Sequence, residues 1–250
     1  MTGSRQRKPV VDPRAAEKRR SMIIRIAATA VVIIVAVIVA VVVIVSKNSD
    51  DSSSASNAST SPTVVTDTGA FRVSGPKANA KAVLTLDEDF QCPVCKQFET
   101  LFGSALEQLR SNPNVAIDYH PIAILDRMSS TGYSTRAANA SACVAQATAA
   151  GGDFATWLKY HQALYAQQPE EGSAGLADQQ LTEIATSVGA PASVSSCVDK
   201  GVYNDWVTAQ TKQVSENGLQ GTPQVELNGK TLTLSTPDAL VAAVNAAAEG

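Results

Sequence analysis

Basic residues are scarce over most of this 250-residue sequence. Eight lysines and arginines fall within residues 1–25, which carry a net charge of +6, whereas the rest of the chain carries −9. A nucleic-acid-binding domain needs basic residues clustered on its folded part, and no such cluster is present. The charge distribution therefore argues against a nucleic-acid partner. A basic head before an acidic body is instead typical of a membrane topology signal.

Histidine and cysteine are also few, with two and four residues respectively. They do not form the two ligand pairs at short spacing that a structural zinc site requires. We therefore expect no metal and no other cofactor. The 44% of hydrophobic and 17% of charged residues are typical of a globular protein.

Residues 26–45 form one uncharged run, mostly of valine, isoleucine and alanine. Twenty helical residues cover roughly 30 Å, the thickness of a bilayer core, so the run predicts a transmembrane anchor. The alternative is a cleaved signal peptide, whose apolar stretch has about 7–15 residues and ends at an A-x-A-like site. This run is longer, and no such site follows it. By the positive-inside rule, we expect residues 1–25 in the cytoplasm and the rest of a single-pass membrane protein outside.

Residues 46–69 consist mainly of serine, threonine, aspartate and asparagine, a composition that predicts a flexible stalk. The folded domain is then residues 70–250. Its hydrophobic patterns predict the order strand, helix, strand, a block of helices, hairpin and helix. The predicted segments are 82–86, 92–109, 115–125, the helical block, 224–227, 231–234 and 237–248. This order is typical of an α/β domain with an embedded helical insertion at about residues 126–218.

The motif Cys92-Pro93-Val94-Cys95 lies between a predicted strand and a predicted helix. A thiolate at a helix N-terminus is stabilised by free backbone N–H groups and by the positive end of the helix dipole, so its pKa falls. Pro93 suits the first helical turn, where a missing N–H has no cost. We therefore predict that Cys92 is a redox nucleophile and that Cys95 resolves its mixed disulfides. The alternatives are half of a zinc site and an inert local bridge.

The other two cysteines, Cys143 and Cys197, fall in separate helices of the predicted insertion. Four cysteines allow three pairings, and an even number outside the cytoplasm indicates disulfides. With Cys92 and Cys95 assigned to redox chemistry, we interpret Cys143 and Cys197 as a structural disulfide. Free thiols and a second redox pair are the alternatives.

Three motifs follow one another along the chain, and their order matters as well as their residues. They are Asp89-Phe90-Gln91-Cys92-Pro93-Val94-Cys95, then Ala137-Ala138-Asn139-Ala140 in the helical block, then Gly221-Thr222-Pro223 followed by Asn228-Gly229. With these motifs the sequence resembles the DsbA-like branch of the thioredoxin superfamily over residues 75–250. The additional pair of cysteines and the membrane anchor are similar to those of the actinobacterial members.

The resemblance implies a thioredoxin fold in which Pro223 is cis and packs beside the active-site disulfide. Thr222 would then offer backbone hydrogen bonds to an extended substrate segment. Two departures concern the redox potential. Val94 stands where the best-known members have histidine, and Leu86 stands where many relatives have a buried acid that accepts a proton. Asp87 and Glu88 follow Leu86, and the sequence does not give the direction of their side chains.

The resemblance predicts an oxidase that gives its disulfide to reduced exported proteins and is reoxidised by a membrane partner of the DsbB or vitamin-K-epoxide-reductase type. The alternatives are a reductase or isomerase, for example in cytochrome c maturation, and a non-catalytic chaperone with a thioredoxin fold. An isomerase usually has a dimerisation domain, for which the stalk is too short and polar, so we expect a monomer. Among other residues, we expect His120 at a strand end or on the surface, and His161, Trp157 and Trp206 in the core of the insertion.

Overall fold

The structure, a computed structural model, describes residues 60–74 and 80–250. In these residues the elements are β1 Phe71–Ser74, β2 Ala82–Glu88, α1 Pro93–Arg110, β3 Val115–Pro121, α2 Tyr133–Thr148, α3 Ala155–Ala166, α4 Asp178–Ser187, α5 Ser193–Asp199, α6 Asn204–Glu216, β4 Gln224–Leu227, β5 Lys230–Thr231 and α7 Pro237–Glu249. The expected cytoplasmic segment, anchor and most of the stalk lie outside the described residues. Among the helices that the structure describes, none is long and apolar enough to cross a membrane.

The strands form one mixed sheet in the order β1-β3-β2-β4-β5. Only β2 and β3 are parallel, and α1 connects them as parallel strands require. The other pairs are antiparallel. The central strand β2 is buried along its last residues and leads directly to the C-x-x-C motif. The α/β order predicted from the hydrophobic patterns is therefore confirmed.

The helices α2 to α6 lie in the chain between β3 and β4, and α2 is the centre of this insertion. Helix α2 is rich in alanine and serine, and eleven of its sixteen residues are buried. Small side chains let neighbouring helices approach closely, which explains how α3, α4, α5 and α6 all contact this one helix. The insertion is thus built around a helix whose sequence has little amphipathic pattern.

Aromatic rings join the insertion to the sheet. Phe71 of β1 has its ring centroid 5.2 Å from that of Trp157 and 5.7 Å from that of Trp206. Trp157 also lies 5.2 Å from Tyr119 of β3. The two tryptophans are buried, as expected, but they pack against the strands as well as within the insertion. These contacts fix α3 against β1 and β3 of the sheet.

The strand boundaries differ from the prediction in three places. β1 was not predicted, because four residues of alternating burial give too short a pattern. β3 ends at Pro121, and the strand predicted to reach residue 125 is four residues shorter. β5 ends at Thr231, short of the predicted residue 234, although the Leu232 amide still donates to the Val225 carbonyl at 2.8 Å.

Two local structures are the hairpin turn between β4 and β5 and the start of α3. Asn228 and Gly229 have φ angles of 50° and 73°, as a two-residue turn between antiparallel strands requires, so the predicted hairpin is confirmed. Phe154 occupies the N-cap position of α3, and Asp153 before it accepts a hydrogen bond from the Ala155 amide at 3.0 Å.

Candidate active site

Cys92 is the N-cap residue of α1, and Pro93 is the first residue inside the helix. Its backbone is extended, with φ −77° and ψ 117°, and its N–H donates to the carbonyl of Asp89 at 2.9 Å. The side chain of Cys92 is 6% exposed, Cys95 is fully buried, and Val94 between them is 54% exposed. Cys92 is thus the sulfur nearer to solvent, and both cysteines are thiols in this structure.

The surroundings of Cys92 favour its thiolate. Hydrogen bonding from the Cys95 thiol lowers the pKa of Cys92 most, and the Thr222 side chain and the amides of Cys95 and Val94 add to this against the opposing effect of burial, giving a value of about 6. Burial raises the pKa of Cys95 well above its ordinary value, and the neighbouring Cys92 and Glu88 raise it further. The two sulfurs therefore differ as an attacking and a resolving thiol differ.

The Thr222–Pro223 segment lies directly beside Cys92. The peptide bond between Thr222 and Pro223 is cis, and the Cys92 thiol donates to the Thr222 carbonyl at 3.4 Å. The neighbouring strands β2 and β4 produce this approach, since Asp87 pairs with Gln224 in the sheet. The structure therefore brings together the C-x-x-C motif and the predicted substrate loop.

Asp89 stabilises the turn before Cys92. The sequence alone indicated this residue only as part of the motif that contains Cys92. Its fully buried carboxylate accepts hydrogen bonds from the amides of Gln91 at 2.8 Å and Leu125 at 2.9 Å, and from the Ser134 hydroxyl at 2.6 Å. Burial raises the pKa of Asp89 to about 7 although these hydrogen bonds oppose the shift. The three donors come from the active-site turn, the loop after β3 and helix α2, so Asp89 ties these segments together.

Two glutamines connect the insertion to the same turn. Gln168, just after α3, donates to the carbonyls of Phe90 at 3.0 Å and Cys92 at 2.9 Å. In the opposite direction, Gln91 donates to the carbonyls of Glu170 at 3.3 Å and Ser173 at 3.1 Å. Sequence reasoning missed both glutamines, since a polar residue in a loop carries no signal of a long-range contact.

The acids after Leu86 point in different directions. Leu86 is fully buried in the core, and Asp87 binds Nδ1 of His120 at 2.9 Å. His120 is partly buried and is the last residue but one of β3, so the expected strand-end position is confirmed. Glu88 is 2% exposed, and its charge is among those that raise the pKa of Cys95. Burial, and next the charge of Glu99, raise the pKa of Glu88 to about 8. A buried acid thus lies near Cys95, two residues later in the sequence than in many relatives.

One group of side chains in the described part of the chain has the composition of a cation site. Glu88, Glu99 and His161 bring one potential ligand atom each to within 4.8 Å of one another. His161 was expected to be a satisfied core histidine. It is indeed buried, but neither ring nitrogen has a hydrogen bond of normal length among the described residues.

Cys143 and Cys197 form a disulfide that joins α2 to α5. Their Cα atoms are 5.9 Å apart, and 54 residues separate them in sequence. The Cys143 side chain is buried, so this bridge belongs to the core of the insertion. It takes no part in the surroundings of Cys92.

Comparison with known proteins supports the same assignment. A family model described as Thioredoxin (Thioredoxin_4) matches residues 67–246. A solved structure of the reduced disulfide bond oxidoreductase DsbG from Mycobacterium tuberculosis has 32% sequence identity and a TM-score of 0.65, and the match covers 75% of this chain and 91% of that one. For oxidised DsbA from the same organism the identity is 33%, the TM-score 0.63, and the coverage 72% and 93%.

Curated relatives match over a shorter region. The chain is 33% identical over 144 residues to the serine/threonine-protein kinase PknE of Mycobacterium tuberculosis, and the match covers 54% of this chain but only 24% of the kinase. The chain thus spans about a quarter of the length of this curated relative. Together with the family model and the solved structures, the geometry identifies this chain as a member of the thioredoxin family and, within it, as a DsbA-like protein thiol–disulfide oxidoreductase.

Proposed function

We propose that this protein is an extracytoplasmic oxidase that introduces disulfides into reduced exported proteins through Cys92 and Cys95. The observation that carries the proposal is the low pKa of Cys92, about 6, which arises without the histidine of the best-known relatives. A stabilised thiolate favours the reduced enzyme and so makes its disulfide a stronger oxidant. At neutral pH most Cys92 would be ionised in the reduced form.

The reaction consists of two exchanges. A substrate thiolate attacks Sγ of Cys92 in the oxidised pair, a mixed disulfide forms, and Cys95 leaves with the electrons of the broken S–S bond and takes up a proton. A second substrate thiolate then attacks the substrate sulfur of the mixed disulfide and releases Cys92 as a thiolate. The substrate loses two electrons, and the enzyme gains them as a dithiol.

The surface around Cys92 suits an extended substrate. The exposed Val94 offers an apolar contact in the active-site turn, and the backbone carbonyl of Thr222 lies 3.4 Å from the Cys92 sulfur. Backbone hydrogen bonds recognise a peptide without requiring a particular sequence, which suits an enzyme with many unfolded clients.

We also propose that the catalytic domain faces the outside of the cell on a single-pass anchor at residues 26–45, and that the protein is a monomer. The uncharged run and the basic residues before it support this topology. A membrane oxidase of the DsbB or vitamin-K-epoxide-reductase type would then regenerate the Cys92–Cys95 disulfide. Protease added to spheroplasts should digest the domain, whereas full protection would contradict the topology.

The direction of the reaction is tested by equilibrating the domain with glutathione. The reduction potential is about −120 mV for DsbA, a strong oxidant, and about −270 mV for thioredoxin, a reductant. We expect a potential above about −200 mV, and a lower value would favour the reductase alternative.

The oxidised protein should also form disulfides in a reduced, unfolded secreted protein, and the matched Cys92→Ser variant should not. A wild-type protein without turnover in this assay would favour the non-catalytic chaperone.

A further inference from the structure

Both side-chain donors of Gln168 are used on the active-site turn. Its N–H₂ group donates to the carbonyl of Phe90 at 3.0 Å and to that of Cys92 at 2.9 Å. An amide N–H₂ group has two hydrogens, so one can point to each carbonyl. The flipped amide would place its oxygen against two carbonyl oxygens, so the hydrogen-bond network assigns the nitrogen to this side. Gln168 thus bridges the residue before Gln91 and the nucleophile after it.

Three parts of the fold hold Cys92 by hydrogen bonds. Within α1, the Lys96 amide donates to its carbonyl at 3.2 Å, and in the loop before β4 the Thr222 carbonyl accepts from its thiol at 3.4 Å. The third part is the insertion, which reaches Cys92 through Gln168. In the part of the chain that the structure describes, Gln168 is also the one donor to the Phe90 carbonyl. Loss of its amide would therefore leave the turn without its contact on this side.

The main chain of Gln168 is itself fixed at the end of α3. Its N–H donates to the carbonyl of Tyr165 at 3.2 Å, and its side chain is partly buried. The ring of Tyr165 has its centroid 5.2 Å from that of Phe90, and both rings are buried. Because this packing sets the separation between the helix end and the turn, the amide of Gln168 is held in place to donate to Phe90 and Cys92.

These hydrogen bonds act on the charge at Cys92 in two ways. A carbonyl oxygen carries partial negative charge, and a donor on the Cys92 carbonyl offsets that charge beside the thiolate of the same residue. The shape of the turn also directs the amides of Val94 and Cys95, which are among the groups that lower the pKa of Cys92. The titratable groups that act with Cys92 are Cys95 and the buried Asp89. Gln168 contacts neither of their side chains, so its effect can be separated from theirs.

We propose that Gln168 is a positioning residue that holds the Cys92 sulfur in its reactive orientation and makes it a better leaving group. The proposal deepens the proposed function, because it rests on Cys92 and Cys95 as the redox pair. It gives the insertion a part in the redox reaction, through the loop that follows α3.

The step that Gln168 accelerates is the second exchange. A substrate thiolate attacks the substrate sulfur of the mixed disulfide, a substrate disulfide forms, and the electron pair of the broken bond goes to Sγ of Cys92. A thiol of lower pKa leaves faster, so a contact that favours the Cys92 thiolate speeds the release of the product. The same contact stabilises the reduced enzyme and makes its disulfide the stronger oxidant.

The test replaces Gln168 with methionine, which has a similar length but no donor. In Gln168→Met we expect the pKa of Cys92 to rise from about 6 by about half a unit to one unit, a threefold to tenfold weaker acid. The thiolate absorbance of the reduced protein, followed against pH, measures it. Gln168→Glu should raise the pKa further, because it adds a negative charge beside the same carbonyls. Gln168→Leu serves if Gln168→Met does not fold.

The variants should also be weaker oxidants. For Gln168→Met, the equilibrium constant with glutathione at pH 7 should shift toward the oxidised protein by about twofold to fivefold, and fivefold corresponds to about 20 mV. Disulfide formation in a reduced, unfolded secreted protein should slow in parallel. The pKa and the equilibrium constant are properties of the folded protein, so a loss of stability alone would not move them.

The neighbouring glutamine provides a matched control. Gln167 is exposed, and Gln167→Met should leave the pKa of Cys92 and the equilibrium constant unchanged. Gln167→Glu brings the same charge to the next residue and separates the effect of a nearby charge from that of the contact. The proposal is wrong if Gln168→Met behaves like the wild-type protein, or if the Gln167 variants shift both quantities as much.

The second glutamine of the turn separates Gln168 from its loop. Gln91→Met would remove the hydrogen bonds to the carbonyls of Glu170 and Ser173 but keep those that Gln168 donates. We expect less than half of the shift seen in Gln168→Met. An equal shift would assign the effect to the whole loop and overturn the role of Gln168.

Failure of this proposal and failure of the proposed function give different results. A wild-type potential near that of thioredoxin would reverse the direction of the proposed reaction, whereas the difference between the wild-type protein and Gln168→Met would keep its sign. A wild-type protein that does not exchange with glutathione would remove the redox function. The titration of Cys92 would still decide whether Gln168 acts on this sulfur.

Discussion

The sulfur of Cys92 lies 3.4 Å from the carbonyl oxygen of Thr222, although 130 residues separate them in sequence. The contact joins the N-terminus of α1 to the loop before β4, and the sheet holds both because β2 and β4 are neighbours. It places the nucleophile next to the backbone segment that we propose as the substrate-binding loop. The side chain of Thr222 also acts on the Cys92 thiolate.

Replacing Thr222 with valine should raise the pKa of Cys92 from its value of about 6. The variant keeps the shape of the side chain but loses the hydroxyl. A hydrogen bond to a charged group contributes about 1.5 kcal/mol or more, so we expect a rise of about one unit. The thiolate absorbance of the reduced protein, followed against pH, measures it. Thr231→Val, at an exposed position on β5, should not change the midpoint.

Replacing Cys95 with alanine should trap substrates. The Cys92 thiolate would attack a disulfide of the substrate and displace one substrate thiol, but the resolving thiol would be missing and the mixed disulfide would accumulate. Non-reducing gel electrophoresis after mixing with an unfolded protein that contains disulfides detects the adduct. Cys92→Ala is the matched control, and trapping by this variant instead of Cys95→Ala would reverse the two roles.

Replacing Asp89 with asparagine should destabilise the protein. The carboxylate accepts from three donors, and an asparagine would turn an N–H₂ group toward at least one of them. Leaving buried donors unsatisfied costs about 1–3 kcal/mol in the free energy of unfolding, which urea denaturation measures. Asp67→Asn, at an exposed loop position, should have little effect. Equal stability of the two variants would contradict the role assigned to Asp89.

Much of the fold and the redox pair could be predicted because their signals are local. The C-x-x-C motif follows a strand and opens a helix, and the Asn228-Gly229 turn joins two short strands, so a few adjacent residues carry each inference. β1 was missed for the same reason, since Phe71–Ser74 is too short to show a period. Its position at the sheet edge depends on pairing with β3, far along the chain.

The acid–histidine cluster could not be predicted in this way. Asp87, Glu88 and Asp89 form an acidic run at the end of an apolar strand, a pattern that usually marks a solvated loop. They are buried by different neighbours, since Asp87 contacts β3, Glu88 faces α3 and Asp89 accepts a hydrogen bond from α2. His161 lies 73 residues after Glu88 in sequence, and only the packing of the insertion brings them together. An acid within four residues of a redox cysteine was the one signal that pointed to Glu88.

Replacing Cys143 or Cys197 with serine should lower stability without abolishing the redox reaction. The bridge closes a segment of 54 residues, and the chain-entropy model gives about 4 kcal/mol for a loop of this length. We expect a clearly lower melting temperature, and adduct formation at Cys92 that remains once the variant is folded. A variant that is equally stable but inactive would assign the second pair to redox chemistry.

The stability of the reduced protein should depend on pH through Cys92. The pKa of this thiol is about 6 in the folded protein and near its ordinary value of 9 when unfolded. The stabilisation is therefore fully present above about pH 9, decreases as the pH falls, and is lost below the folded pKa near 6. At pH 7 it amounts to about 1.4 kcal/mol, and at pH 8 to about twice that.

Urea denaturation of the reduced wild-type protein and of reduced Cys92→Ser between pH 5 and 8 isolates this contribution. The other buried groups with shifted pKa values, among them Asp89 and His161, are present in both proteins and largely cancel in the difference. We expect the advantage of the wild-type protein to grow steadily above pH 6. A difference that stays constant across this range would mean that Cys92 is not ionised, and the basis for an oxidising potential would be lost. Reduced Cys95→Ala should show a smaller growth that begins at higher pH, because it lacks the hydrogen-bond donor that contributes most to the low pKa of Cys92.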